Sequence, residues 1–245
     1  MSQQRRQIRA IQALKILSLA GHVVDGKLLD LGCGQGWLTR KFSETGVFAV
    51  GVDKNLQLIR YAKRDNNRCE FVMADGSYLP FKGSVFKTIV LNDVLEHVPY
   101  SKANGLMKEA VRALSQNGKI YISVMNRWQI SEPHSMIPFM TWLPKQTWDF
   151  VYRLKTRKKA GVKYTEQYFP YTKTQLKKLT HQLQLDCDDY TWVYGSQKIL
   201  KPEQIGSSFL RTLIVIFRFL KIERLMMKAA ERVSPIIVVC NKYSG

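Results

Sequence analysis

From Gly26 onward, short apolar runs alternate with segments whose apolar positions repeat at helical spacing. Lys27–Leu31, Val47–Val52, Glu70–Ala74, Thr88–Leu91 and Lys119–Met125 read as strands. Between them, Trp37 to Glu44, Leu56–Arg64 and Lys102–Leu114 read as helices, and Asn117-Gly118 reads as a turn into the fifth strand. Strands this continuously apolar, each followed by a helix, predict an α/β fold with a parallel sheet covered on both faces.

The flanking segments follow other patterns. Residues 1–21 predict one helix with Ile8, Ile11, Leu14 and Leu17 turned inward. Its Arg5, Arg6, Arg9 and Lys15, with no acid before Asp25, resemble a mitochondrial presequence, but spacing near 3.6 favours a helix packed on the domain. After Met125 the strand–helix alternation stops. Residues 126–172 hold three of the five tryptophans, four of the eight prolines and a basic cluster from Arg153 to Lys163, the composition of an inserted cap. Lys173–Gln182 then reads as a helix and Leu185–Tyr194 as a strand interrupted by an acidic turn at Asp186–Asp189. Ser208–Arg232 reads as a basic-apolar helical stretch and Pro235–Cys240 as a closing strand. The expected organisation is one domain over 1–245: an N-terminal helix (1–21), a core (26–125), a cap (126–172), then helices and closing strands (173–245).

Composition narrows the class. With 45% apolar and 23% charged residues among 245, the chain can bury a core. Four cysteines lie far apart without a C-x-x-C pair, which argues against a disulfide scaffold or zinc ribbon and suits a reducing, cytoplasmic setting. The most apolar run, Phe209–Leu220, is short for a membrane span and carries Arg211 and Arg218. The net charge of +19 attracts polyanions: nucleic acid, an anionic membrane surface or phosphorylated substrates.

The candidate chemistry concentrates at Leu28-Leu29-Asp30-Leu31-Gly32-Cys33-Gly34-Gln35-Gly36. A strand entering a glycine-rich turn and then a helix places backbone N–H groups beside a ligand, and glycine serves where φ is positive or the ligand comes close. A nicotinamide dinucleotide site wants a third glycine where Trp37 stands, and Asp30 would repel its pyrophosphate while welcoming a cation. Asp53 ends the second strand 21 residues after Gly32, the distance at which an acid meets ribose hydroxyls in such folds. Asp30, Asp53 and Asp75 thus lie at three successive strand ends, where ligands bind.

These residues resemble the class I S-adenosylmethionine-dependent methyltransferase family, over about Gly26 to Val124. The resemblance takes in Val50-Gly51-Val52-Asp53, Met73-Ala74-Asp75-Gly76 through Leu79-Pro80-Phe81, Leu91-Asn92-Asp93-Val94-Leu95-Glu96-His97-Val98, and Asn117-Gly118-Lys119-Ile120. It implies a Rossmann-like, doubly wound, mostly parallel seven-stranded sheet with an antiparallel last strand, and S-adenosylmethionine as cofactor. It further implies that Gly32, Cys33 and Gly34 cradle the methionine part, Asp30 faces its ammonium, Asp53 takes the ribose diol and Asp75 accepts from the adenine amino group. Backbone around Asn92 floors the site, and Gly36, Lys54 and Gly76 complete the cofactor set.

Methyl transfer from a sulfonium needs in-line placement and exclusion of water, with a general base only where the nucleophile must lose a proton. His97, after the fourth strand, matches a family position near substrate, although a capping role accounts for it equally well. His134 and Glu132 in Ser131-Glu132-Pro133-His134 are the other catalytic candidates; His22 and His181 read as surface or packing residues. Trp128, His134, Trp142 and Tyr168 are expected to line the acceptor pocket, with Tyr164 and Tyr171 close by. The cap is similar to those of small-molecule and quinone-precursor O-methyltransferases. No convincing metal-ligand cluster is legible. The absence of an Asn/Asp-Pro-Pro-Tyr/Phe tetrapeptide after strand four argues against base or glutamine amino methylation, and the absence of a Pro-Cys pair against cytosine-C5 chemistry. The expected acceptor is a small or lipid-like molecule methylated at oxygen, with Phe209–Met227 as a basic amphipathic contact for an anionic membrane. The competing readings are an RNA methyltransferase using Arg153–Lys163 and a non-catalytic S-adenosylmethionine-binding module.

Overall fold

The computed structural model describes residues 3–64, 68–130, 135, 137–156, 164–194 and 223–243. Seven strands form one sheet: β1 (Lys27–Leu31), β2 (Phe48–Asp53), β3 (Cys69–Met73), β4 (Phe86–Asn92), β5 (Leu114–Val124), β6 (Leu185–Asp189) and β7 (Ile236–Lys242). Their order is β3-β2-β1-β4-β5-β7-β6. The first five are parallel, and β7 runs antiparallel to both β5 and β6. The α/β, Rossmann-like architecture expected from the sequence is the one observed.

Strand alternation decides the two cores. Leu29, Leu31, Ile89, Leu91, Ile120 and Ile122 face α4 (Tyr100–Ala113) and α6 (Lys173–His181), packing with Leu106, Met107 and Leu176. Leu28, Ala49, Val90, Tyr121 and Ile237 face the other way, toward α1 (Gln3–Leu19) and α2 (Trp37–Ser43), against Ala13, Ile16, Leu17 and Phe42. A third helix, α3 (Leu56–Arg64), buries Ile59 and Ala62 on Phe71 beside Cys33.

Helix α1 packs on the domain, but its buried stripe is Ala10, Gln12, Ala13, Ile16 and Leu17; Ile11 points to solvent and Leu14 is half-buried. The side chain of Ile8 lies outside the described residues. The helix ends where Gly21 takes φ +67°, and His22 N–H and Gly21 N–H donate to the Leu17 and Ser18 carbonyls. His22 is a packing residue, its Nε2 2.7 Å from Thr88 Oγ1, and His181 is exposed.

Three expectations are corrected. Asn117-Gly118 does not precede the fifth strand: β5 starts at Leu114, and the pairing jumps from Phe86↔Leu114 to Thr88↔Lys119, so residues 115–118 bulge out of it. A Cβ on Gly118 would come within 2.9 Å of the Lys87 carbonyl oxygen. Asp186–Asp189 form no turn; they lie in the edge strand β6, where exposed charge blunts edge-to-edge pairing. Finally, the register of β6 on β7 sets Cys187 opposite Cys240, and the two form a disulfide across 53 residues; Cys33 and Cys69 are free thiols.

Between β5 and α6 the cap builds a small core of its own from Ile137, Met140 and Trp148, with Tyr168 packed against it. It contains α5 (Trp148–Thr156), whose Asp149 accepts from Thr165 Oγ1 and N–H. The last described helix, α7 (Glu223–Val233), leads into β7. Of Phe209–Met227 and Arg153–Lys163, residues 209–222 and 157–163 lie outside the described residues. Among the described residues no helix is long and apolar enough to cross a membrane.

Candidate functional site

The site is assembled where β1, β2, β3 and β4 end. Leaving β1, the chain turns through Gly32 (φ +80°), Gly34 (φ +54°) and Gly36 (φ +73°), all in the left-handed region. The three glycines have different tasks. A Cβ on Gly32 would lie 2.5 Å from Val94 Cγ2, and one on Gly36 would lie 2.5 Å from the Phe71 ring, so both answer to packing. A Cβ on Gly34 would meet nothing within 4 Å, so only its backbone conformation favours glycine, and the space beside it is open. The turn is tied to β2: Gly32 and Cys33 N–H donate to the Val52 carbonyl, and Gly34 N–H donates to Asp53 Oδ2 at 2.9 Å.

Asp53 therefore works within the fold as well. Its Oδ1 accepts from Asn55 N–H at 2.8 Å, so one carboxylate orders the glycine turn and the entry to α3. Lys54 beside it is exposed. One strand further out, Asp75 is exposed and its Oδ1 accepts from Ser77 N–H, while Ala74 N–H donates to the Asp53 carbonyl. Gly76 packs near Leu31 and Leu106. The three acids thus lie on one edge as expected, in different environments.

Asp30 is the perturbed member. It is 2% exposed, and its Oδ2 accepts from the Thr39 hydroxyl at 2.5 Å. Burial pushes its carboxyl up to about 7, against the Thr39 hydrogen bonds that pull it down and with the neighbouring Asp53 charge adding to the rise. A cation placed beside it would draw it back to the ionised form. Cys33 is nearly buried and its thiol is raised by burial, then by Asp30 and Asp53, so it stays protonated and contributes shape and backbone.

At the end of β4, Asn92 is half-buried and its Nδ2 donates to Asp93 Oδ2 at 3.3 Å. Asp93 takes φ +56°, donates its N–H to the Ser123 carbonyl and accepts from Ser123 Oγ. Its partner across the chain is Arg9 of α1, in an ion pair. Sequence reasoning missed Arg9, Asp93 and Thr39. Positive φ in a non-glycine residue at a strand end leaves no trace in composition, and a pair 84 residues apart has no local signature.

His97 is exposed at the end of the turn Leu95–His97, with its ring centroid 5.2 Å from Tyr168 of the cap. The cap is fastened here by Phe169 N–H to the Glu96 carbonyl and by the Tyr100 hydroxyl to the Pro170 carbonyl. Tyr171 is buried between the cap and the body, beside Tyr100. Trp128 and Trp142 pack edge to face at 6.0 Å with nearly half of each surface exposed. Glu132 and His134, and the side chain of Tyr164, lie outside the described residues. Among the described residues no cluster of three or more His, Cys, Asp or Glu side chains could hold a metal.

The geometry fits S-adenosylmethionine: an open backbone cradle at Gly34, an acid on the neighbouring strand end, and a buried carboxyl whose ionised form a cation would stabilise. A family profile described as "Methyltransferase domain" matches residues 29–122. The chain is 29% identical over 147 residues to a ubiquinone biosynthesis O-methyltransferase of Pelagibacter ubique, covering 57% of this chain and 60% of that protein. It spans under two thirds of the length of the curated relatives it matches. A plantazolicin methyltransferase in complex with SAH superposes with a TM-score of 0.62 at 17% identity, over 98% of this chain and 84% of that one. The magnesium protoporphyrin IX methyltransferase of Synechocystis PCC 6803, also with bound SAH, gives 0.55 at 13% identity, over 97% and 83%. The matched segment, the strand order, the glycine turn and the strand-end acids together support a class I S-adenosylmethionine-dependent methyltransferase domain in this chain.

Proposed function

We propose that the protein methylates a small or lipid-like acceptor, at oxygen, using S-adenosylmethionine. The observation that carries the reading is the Gly34 turn: positive φ, open space where a side chain would stand, and its N–H locked on Asp53. When bound, the cofactor supplies an electrophilic methyl on a sulfonium. The chain's residues then bind, orient and exclude water. Gly32, Cys33, Gly34 and Gly36 shape the cradle, Asp30 balances the ammonium, Asp53 with Lys54 beside it holds the ribose, and Asp75 with Gly76 meets the adenine. The Asn92 backbone supports the reacting end. Because in-line placement in a dry pocket supplies most of the acceleration, few reactive side chains are required.

On the acceptor side, His97 is the favoured base for a hydroxyl proton, with Tyr168 packed beside it to fix the ring. Trp128 and Trp142 form an apolar rim on the cap. The relatives' naming as O-methyltransferases of ubiquinone biosynthesis favours oxygen over nitrogen or carbon. Calorimetry with S-adenosylmethionine and S-adenosylhomocysteine tests the cofactor side: binding by the wild type, weakened about tenfold or more in Asp53→Ala, is expected. Unaltered binding in that variant overturns the site. Labelled methyl transfer to phenolic acceptors, with structured RNA as the control, tests the acceptor class; transfer to RNA alone overturns it.

A further inference from the structure

The cap exposes a cluster of large apolar side chains. Phe139 takes φ +56°, a costly conformation for a bulky residue, and stays 49% exposed. Its ring lies 5.1 Å from Trp142, which lies 6.0 Å from Trp128. Trp142 is tethered through Nε1 to the Gln129 carbonyl, and Phe139 N–H donates to the Ile130 carbonyl. Trp128, Ile130, Phe139, Trp142 and Leu143, each more than 40% exposed, are therefore held together by backbone anchors. Helix α5 adds Phe150 and Leu154, one turn apart and both exposed, flanked by exposed Arg153 and Lys155.

We propose that this face of the cap docks on an anionic phospholipid surface. Tryptophan and phenylalanine beside lysine and arginine are the composition that settles at a membrane interface, rings at the headgroup level and cations against the lipid charge. The charge is complementary: among the described residues of 126–172, Arg127, Lys145, Arg153 and Lys155 stand against Asp149 and Glu166, in a chain of net +19. A second copy of the chain suits the patch less well, because it carries the same positive charge. A nucleic acid would stack on Trp128, Phe139 and Trp142 but leave the aliphatic surface of Ile130, Leu143 and Leu154 unfilled, whereas a lipid interface takes both. The patch belongs to the same cap that reaches the strand ends through Tyr168 and His97. Delivery of a lipid-borne acceptor along it rests on the reading of the acceptor given above; the docking itself does not.

The test is co-sedimentation of the full chain with phosphatidylcholine vesicles, with and without one quarter phosphatidylglycerol, in the absence of cofactor and acceptor. Binding to the anionic vesicles with a blue shift of tryptophan emission is expected, and little to the neutral ones. Phe139→Asp and Leu143→Asp, each placing a charge in the patch, are expected to weaken it about tenfold or more. Unchanged melting and cofactor binding in these variants show that the fold is intact, and failure of cofactor binding in the wild type would strike the methyltransferase reading alone. The docking proposal is overturned by equal binding to neutral and anionic vesicles, by no binding to either, or by variants that bind like the wild type. It is also overturned if the variants lose binding to an oligoribonucleotide, or self-association, while vesicle binding persists.

Discussion

A proton should leave Asp30 when the cofactor arrives. In the free protein this carboxyl is buried against Thr39 and titrates at about 7, so at pH 6.5 it is protonated in about three quarters of the molecules. A cationic ammonium favours the ionised form, and a shift to below about 5.5 in the complex would release roughly 0.7 of a proton per cofactor at that pH. The assay is titration calorimetry at pH 6.5 in two buffers of different ionisation enthalpy, whose difference reads the released proton directly. The cofactor's own amino group titrates near about 8 and is charged at pH 6.5, so any proton uptake it causes belongs to higher pH and persists in Asp30→Asn. The same group sets a stability trend. Unfolded, it holds its proton only up to about 3.9; folded, up to about 7. Between these values the folded state binds more protons, so its stability falls as pH rises through that window, by on the order of 4 kcal/mol in total, and is flat above it. Asp30→Asn should abolish both the release and the slope. Equal heats in the two buffers for the wild type would refute the assignment of Asp30 to the ammonium.

The other expectations are more local. Gly34→Ala should cost about 1–2 kcal/mol of stability for its positive φ, yet weaken cofactor binding; Gly36→Ala, which adds a collision with Phe71, should cost roughly 2–4 kcal/mol by chemical denaturation. Comparable destabilisation by both would contradict the division of labour within the turn. His97→Gln should lower kcat about a hundredfold or more with cofactor affinity unchanged, and an unaltered kcat would remove it from the reaction and leave it a structural role beside Tyr168. Trp148→Ala should remove roughly 3–5 kcal/mol from the cap, because the ring is fully buried and its Nε1 donates to the Leu143 carbonyl. Hydrogen exchange should show the loss confined to the cap, with β1–β5 as protected as in the wild type.

What was legible in the sequence was whatever the local period or a strand end dictates. Lys27–Leu31 and Leu56–Arg64 fall where their patterns put them, and Gly32, Gly34, Gly36, Asp53 and Asp75 occupy the ligand edge because parallel strands deliver their C-termini to one side. Cross-chain registers were not legible. Cys187 meets Cys240 only because β7 enters between β5 and β6 in reverse direction, and Asn117-Gly118 becomes a bulge only because β4 needs pairing back to Phe86. Helix α1 shows the limit of periodicity: Ile11 fits the apolar stripe on paper but points to solvent, while Ala10, Gln12 and Ala13 are buried. The consequence is larger at Arg9, whose pairing with Asp93 ties α1 to the C-terminal end of β4. Nothing in the first twenty residues announces that pairing.

The +19 charge and the strand-end acids look opposed, since a positive protein must hold a cationic cofactor. Distance resolves it. A carboxylate about 4 Å from an ammonium contributes on the order of 4 kcal/mol near a protein surface, whereas charges beyond a Debye length of about 8 Å are largely screened. In the proposed site Asp30 faces the ammonium within the first range; the Lys and Arg excess is spread through the chain, 18 against 10 acids up to Ile120 and 20 against 9 beyond it, and acts in the second. The two electrostatic tasks should therefore respond differently to salt. Between 50 and 500 mM salt, cofactor affinity should change by less than about threefold, while association of the cap with anionic vesicles should fall by more than about tenfold. Equal sensitivity of both would mean that the cofactor is held by the general field of the chain, and not by the carboxylates at the ends of β1 and β2.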